Sequence, residues 1–96
     1  MASIAYAGVD VSQGHLVAQL LDQEGHPLLP QRTVPNHAAG ARELAQVWAQ
    51  VAQDQGLTRL RLGLEATHVY WLPATLLWQD FAWPQDLTVE VGSLNP

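Results

Sequence analysis

The stretch LGLEATHVY, residues 62–70, decides how this chain of 96 residues folds. Leucines at positions 60, 62 and 64 alternate with Arg61, Gly63 and Glu65, and a period of two is typical of a strand with one buried face. Glu65 therefore stands at the carboxyl end of a strand, and Thr67 after it can cap a helix. Because ligands of open α/β sheets gather at the carboxyl ends of strands, Glu65 is a candidate functional residue if a second carboxylate lies nearby.

The composition is that of one small folded domain. Hydrophobic residues make up 48% of the chain and charged residues 14%, which excludes a disordered chain. Nine acidic residues outnumber four arginines, and lysine is absent, so the domain is poorly suited to grip duplex DNA by itself. The acidic balance favours a role in holding metal or contacting protein. With no cysteine, neither a disulfide nor a thiolate metal site is possible.

The start of the chain and the lengths of its apolar runs predict the cellular location of the protein. No apolar run approaches the roughly 18 residues of a membrane span. The first residues, MASI, lack the basic segment of a secretory signal, so a cytoplasmic location is expected.

The order of elements predicts a five-stranded mixed sheet. The first three strands should form an antiparallel meander, and Pro27 and Pro30 place the third strand at an edge. Right-handed crossovers make the last two strands parallel to the first, which gives the order 3-2-1-4-5 of the ribonuclease H-like α/β topology. Asn36 is expected to cap the first helix and Gly56 to end it. The expected strands are residues 4–11, 15–21, 27–34, 58–65 and 87–93, with helices over residues 36–53 and within 69–81.

Asp10 is the second carboxylate that Glu65 requires. In the predicted order the first and fourth strands are parallel neighbours about 4.8 Å apart, so Asp10 and Glu65 can hold one cation between them. Gly8 and Gly63, two residues before each acid, would keep the site open. Oxygen ligands suit Mg²⁺ or Mn²⁺. Two such ions about 4 Å apart can clamp a phosphoryl displacement, but that needs more acids than these two.

Simpler roles are open for several of these residues. Asp10 can cap a turn through Ser12, which has no His/Asp partner that would make it a nucleophile. The histidines, His15 and His68 among them, are scattered without the spacing of a zinc site. Asp22 and Glu24 belong to a hairpin tip. The aromatic residues after position 70 are too many for one thin layer to bury, which predicts self-association or a partner surface. They are Trp71, Trp78, Phe81 and Trp83.

Two phrases together, residues 6–12 (YAGVDVS) and 64–73 (LEATHVYWLP), resemble the N-terminal domain of DEDD-type insertion-sequence transposases. This family groups with the Piv DNA invertase, and its N-terminal domain is similar to the RuvC resolvase fold. Residues 36–40 and the closing Asn95 and Pro96 fit as well. The resemblance implies that residues 1–96 are one RuvC-like domain, a fragment of a longer protein with a separate C-terminal domain.

The resemblance also assigns roles. Asp10 matches the first acid of the DEDD tetrad and Glu65 the second, while the remaining two aspartates lie later in family members. It implies a DNA transposase or recombinase that uses Mg²⁺ or Mn²⁺ for phosphoryl transfer, with DNA and a structured guide RNA as partners. The fragment alone is expected to be inactive. Ser12, Thr67 and Tyr70 are candidates for nucleic-acid contact.

The chain departs from the family pattern at a few positions. Gln13 stands where Lys is common and removes a positive charge beside the metal site. His68 stands where Gly is usual and crowds the start of the second helix.

Two other interpretations stay open from the sequence. A ribonuclease H-like module without catalysis could serve protein contacts, which the acidic surface and the tryptophans permit. Residues 8–12 and 21–25 also resemble the first phosphate loop of actin-like sugar kinases. That pattern prefers Gly and Thr where Val11 and Gln13 stand, and it gives no reason for residues 65–70.

Overall fold

A five-stranded sheet with two helices on one of its faces forms the protein. The computed structural model describes residues 3–66 and 72–93. The elements in chain order are β1 (Ile4–Val11), β2 (His15–Leu21), β3 (Arg32–Pro35), α1 (Ala38–Gln55), β4 (Arg59–Ala66), α2 (Leu72–Asp80) and β5 (Thr88–Ser93).

The strand order is β3-β2-β1-β4-β5. β2 runs antiparallel to both β1 and β3, whereas β4 is parallel to β1 and to β5. A tight turn suffices for the antiparallel connection of β1 to β2, and each parallel connection uses a helix as its crossover. The predicted ribonuclease H-like α/β fold is thereby confirmed.

Both helices pack on one face of the sheet. Trp48 of α1 and Trp78 of α2 meet there with ring centroids 5.3 Å apart. The indole N–H of Trp78 donates to the carbonyl oxygen of Ala41 at 2.9 Å, so the buried ring has its polar atom satisfied. Alternate residues of the two central strands supply the sheet side of this core: Ala5, Ala7, Val9, Val11, Leu60, Leu62 and Leu64.

The start of α1 differs from the prediction. His37, not Asn36, is the N-cap, and its Nδ1 accepts the backbone N–H of Gly40 at 3.3 Å. Asn36 instead donates from Nδ2 to the carbonyl oxygen of Ser12 at 2.7 Å, which ties this segment to the β1–β2 turn. The end of α1 is as predicted, because Gly56 adopts the left-handed conformation with φ of 66°.

The third strand is shorter and later than predicted. β3 spans only Arg32–Pro35, and an isolated bridge between Leu21 and Pro27 is what remains of the expected earlier part. The reason is that Pro27 and Pro30 have no N–H to donate and fix φ, which interrupts the ladder.

The aromatic residues after position 70 that the structure describes are better packed than predicted. Trp78 is fully buried, and Phe81 and Trp83 are half-buried against the core with ring centroids 4.7 Å apart. The chain folds back after α2, and the Trp83 indole N–H donates to the carbonyl oxygen of Trp78 at 2.8 Å. Trp71 lies outside the described residues. No helix among the described residues is long and apolar enough to cross a bilayer.

Candidate functional site

The face of the sheet away from the helices is open. Because strand side chains alternate between faces, the residues between the buried ones point to this side. Tyr6 and Asp10 of β1 and Arg61 and Glu65 of β4 are all exposed there. Tyr6, at 39% exposure, is one of the most exposed large hydrophobic residues described.

Asp10 and Glu65 come together on this face. They are register partners on β1 and β4, which are parallel and adjacent, as predicted from the sequence. Both line one cavity of about 380 Å³, which we call the acid cavity. Neither carboxylate pairs with a cationic side chain among the described residues. Two unpaired oxygen ligands beside an open space fit a hard divalent cation.

The acid cavity is lined by Gly8, Val9, Asp10, Val17, Gln19, Gln31 and Glu65.

Three glycines form a row across the open face next to the acids. Gly8 pairs with Gly63, and Gly63 pairs with Gly92, on three adjacent parallel strands. A Cβ added to Gly8 or Gly92 would meet nothing within 4 Å, so packing within the chain does not require a glycine there. The row floors a shallow trough of about 510 Å³, which we call the glycine trough and which adjoins the acid cavity through Gly8. Sequence reasoning identified Gly8 and Gly63 and missed Gly92.

The far wall of the glycine trough carries a charge cluster. Glu90 of β5 pairs with Arg59 and also lies opposite Arg61, whose Nε is 3.6 Å from its Oε2. The hydrogen bond from Arg59 lowers the pKa of the Glu90 carboxyl from its ordinary value. Glu90 is therefore paired with two arginines, whereas Asp10 and Glu65 are the unpaired acids of the open face as described.

Among the candidates for nucleic-acid contact, only Ser12 lies within the described residues. The hydroxyl of Ser12 donates to the carbonyl oxygen of His15 at 3.1 Å and accepts the His15 N–H at 3.2 Å, so it closes the turn after Asp10. Thr67 and Tyr70 lie outside the described residues, as does His68.

A second group of possible ligands lies at the hairpin tip. Asp22, Glu24 and His26 each offer an atom within 4.8 Å of the others. The spacing of every second residue was the available signal, and sequence reasoning missed His26 as a member. Asp22 Oδ1 accepts the backbone N–H groups of Glu24 and His26, both at 2.9 Å, so its place in the turn has a structural reason.

The hairpin tip is remote from the acid cavity. Leu21, next to the tip, pairs with Tyr6, whereas Asp10 pairs with Val17 four residues further along the strand. At about 3.3 Å per residue this separates the two groups by more than 10 Å. The tip cannot complete the pair of Asp10 and Glu65.

Comparison with known proteins agrees with the geometry. Residues 7–89 match the DEDD_Tnp_IS110 family model, which is described as a transposase. No curated protein matches the chain. The match covers most of the chain and includes both Asp10 and Glu65, and the chain therefore belongs to the DEDD-type IS110 transposase family.

Proposed function

We propose that this chain is the RuvC-like part of a DNA transposase in which Asp10 and Glu65 hold a catalytic divalent cation, Mg²⁺ or Mn²⁺. The observation that carries the proposal is their register pairing on adjacent parallel strands, with both side chains lining the acid cavity. The family match supports transposition over a sugar-kinase activity.

The donor set suits such an ion. Asp10 and Glu65 supply only oxygen ligands, both exposed, and Mg²⁺ keeps several waters while it binds through one or two carboxylates and substrate phosphate. When bound, the ion would polarise a phosphoryl oxygen and lower the pKa of a bound water or hydroxyl. The two carboxylates would hold the ion at the acid cavity, where a DNA phosphate would have to bind to reach it.

In this proposal, the remaining acidic ligands and most of the DNA-binding surface lie outside the described residues. Two carboxylates are fewer than a two-ion site needs, so further acids must be supplied from outside the described residues. With a net charge of −5, this chain also has little attraction for phosphates of its own. DNA binding by this chain alone would therefore be weak and would depend on the bound ion. A further domain would add the remaining contacts with DNA and with a guide RNA, and this chain alone would not cut DNA.

Calorimetric titration with Mn²⁺ tests the proposal. Asp10→Asn and Glu65→Gln should each weaken Mn²⁺ binding about tenfold or more, because each removes one of two charged ligands. Asp86→Asn, which neutralises an exposed acid away from the cavity, is the matched control and should leave the affinity unchanged. Unchanged Mn²⁺ affinity in both site variants would overturn the assignment.

A further inference from the structure

The acid cavity has a wall of side-chain amides that the proposed metal site does not use. Gln19 of β2 and Gln31, just before β3, line it together with Asp10 and Glu65. The Nε2 group of Gln19 donates to Oε1 of Gln31 at 3.3 Å. This bond joins two exposed side chains at the edge of the cavity.

The sheet register brings this wall within reach of the acids. Gln19 lies opposite Gly8, and Asp10 lies opposite Val17, so Gln19 and Asp10 are diagonal neighbours on an antiparallel pair. Diagonal neighbours are about 7–8 Å apart, within reach of long side chains. Since Gly8 has no side chain, β1 places nothing between Gln19 and the glycine trough.

The chemistry of the wall is that of neutral donors. Among the described residues, no Lys, Arg or His lines the acid cavity, so the amides are its side-chain hydrogen-bond donors. An amide has two N–H donors and one carbonyl acceptor, and the bond between Gln19 and Gln31 uses one donor and one acceptor. Whichever way round the pair is bonded, one amide keeps both of its N–H groups for a ligand.

Neutral donors suit a site built around a cation. A Lys or Arg in place of Gln19 would compete with a divalent ion for the carboxylate of Asp10, its diagonal neighbour, because opposite charges a few ångströms apart attract strongly. An amide can bond a phosphate oxygen without that competition. The anion that would approach Asp10 and Glu65 in the proposed reaction is a DNA phosphodiester, which carries acceptor oxygens only.

We infer that Gln19 and Gln31 act as one phosphate-contacting pair, which donates to a non-bridging oxygen of the DNA strand bound at the acid cavity. This inference rests on the proposed function and adds positioning residues to it. The simpler alternative is that the two amides only join β2 to the segment before β3.

Binding of a fluorescein-labelled four-way DNA junction to the 96-residue chain in Mn²⁺ tests the pair. Gln19→Leu and Gln31→Leu should each weaken DNA binding about tenfold or more, as expected for the loss of a hydrogen bond to a charged acceptor. The double variant should lose little more than either single variant, because the two side chains act as a unit. Gln46→Leu, on the exposed side of α1, is the matched control and should bind as wild type.

Two further measurements distinguish a direct DNA contact by the two glutamines from a purely structural role. The slope of log affinity against log salt should stay unchanged in the leucine variants, because a neutral amide releases no counterion. The Mn²⁺ affinity should also stay unchanged. Gln31→Glu keeps an acceptor for Gln19 but removes the two free N–H donors of Gln31, so it should lose more DNA affinity than Gln46→Glu, which adds the same charge elsewhere.

The outcomes distinguish the inference from the proposed function. If Asp10→Asn abolishes Mn²⁺-dependent DNA binding while the glutamine variants bind as wild type, the pair is structural and only this inference fails. A loss of DNA affinity that follows a loss of Mn²⁺ affinity or of folding in the glutamine variants also overturns it. If the wild type shows no Mn²⁺-dependent DNA binding, or Asp10→Asn does not weaken it, the proposed function fails and the inference with it.

Discussion

Asp10 and Glu65 are direct register partners on two parallel strands, and both face the same cavity without a cationic partner among the described residues. Like charges placed side by side repel, by about 0.2–1 kcal/mol when water reaches both. We therefore expect Asp10→Asn and Glu65→Gln each to raise the melting temperature in chelator by about 1–8 °C for a domain this small. Thermal melts measure this directly.

Metal should reverse the order of the melting temperatures of the wild type and the two variants. Millimolar Mn²⁺ should stabilise the wild type by mass action and the two variants less, because each variant lacks one ligand. If both variants melt below the wild type in chelator and Mn²⁺ shifts none of the three, the acids serve as structural hydrogen-bonding groups.

The glycine trough predicts a substitution that gains stability and loses function. Gly8→Val should stabilise the chain by about 0.5–1 kcal/mol, because a β-branched residue suits a strand better than glycine and the new side chain meets nothing within 4 Å. The same side chain projects into the trough and the acid cavity, so Mn²⁺-dependent DNA binding should weaken. Urea unfolding and junction binding test the two halves. A destabilised Gly8→Val would mean that the space at Gly8 is needed by the fold.

The sequence was enough to predict most of the sheet and the acid pair. A period of two in residues 60–65 identified β4, and the rule for crossover connections then placed it beside β1. It was not enough for features that depend on contacts between distant segments. The third glycine, Gly92, belongs to the row only through the register of β4 with β5, and Gln19 meets Gln31 only through the fold. The choice between Asn36 and His37 as cap depends on the β1–β2 turn, which binds Asn36.

Gly40 is required where α1 begins beside β3. A Cβ at this position would lie 2.0 Å from the backbone oxygen of Pro35, so the backbone itself would have to move. Gly40→Ala should destabilise the chain by about 1–3 kcal/mol despite the higher helix propensity of alanine. Gly14→Ala is the control, since its Cβ meets nothing within 4 Å, and it should change stability by less than about 0.5 kcal/mol. Equal urea midpoints for the two variants would contradict the steric argument.

Stability should fall in acid partly through Asp22. The backbone N–H of His26 lowers the pKa of this carboxyl, helped by the N–H of Glu24. A lowered pKa in the folded state means that the stabilisation is present above the ordinary value of about 3.9 and is lost as the pH falls through the folded value. Glu90 acts in the same direction because of Arg59.

Asp22→Asn keeps an oxygen that can accept the same hydrogen bonds but does not titrate. The melting temperature of the wild type should exceed that of Asp22→Asn at pH 7, and the difference should shrink below about pH 4. Glu90→Gln should behave alike. Melts of the three proteins between pH 2 and pH 7 give the comparison, and a difference that stays constant with pH would assign the effect to something other than these carboxylates.

The buried hydroxyl of Thr75 is expected to lower the stability of the chain. The residue is 9% exposed, and no partner for its Oγ1 is found in the part of the chain that the structure describes. Because a buried polar group without a partner costs about 1–3 kcal/mol, Thr75→Val, which keeps the shape and removes the hydroxyl, should stabilise the chain.

Thr58→Val is the matched control, and its effect on stability should have the opposite sign. The Thr58 hydroxyl donates to the carbonyl oxygen of Ser3 at 3.2 Å and accepts the Ser3 N–H at 3.1 Å, so its loss should destabilise by about 1 kcal/mol. Urea unfolding of both variants measures the two signs, and a destabilised Thr75→Val would show that this hydroxyl has a partner in the folded protein.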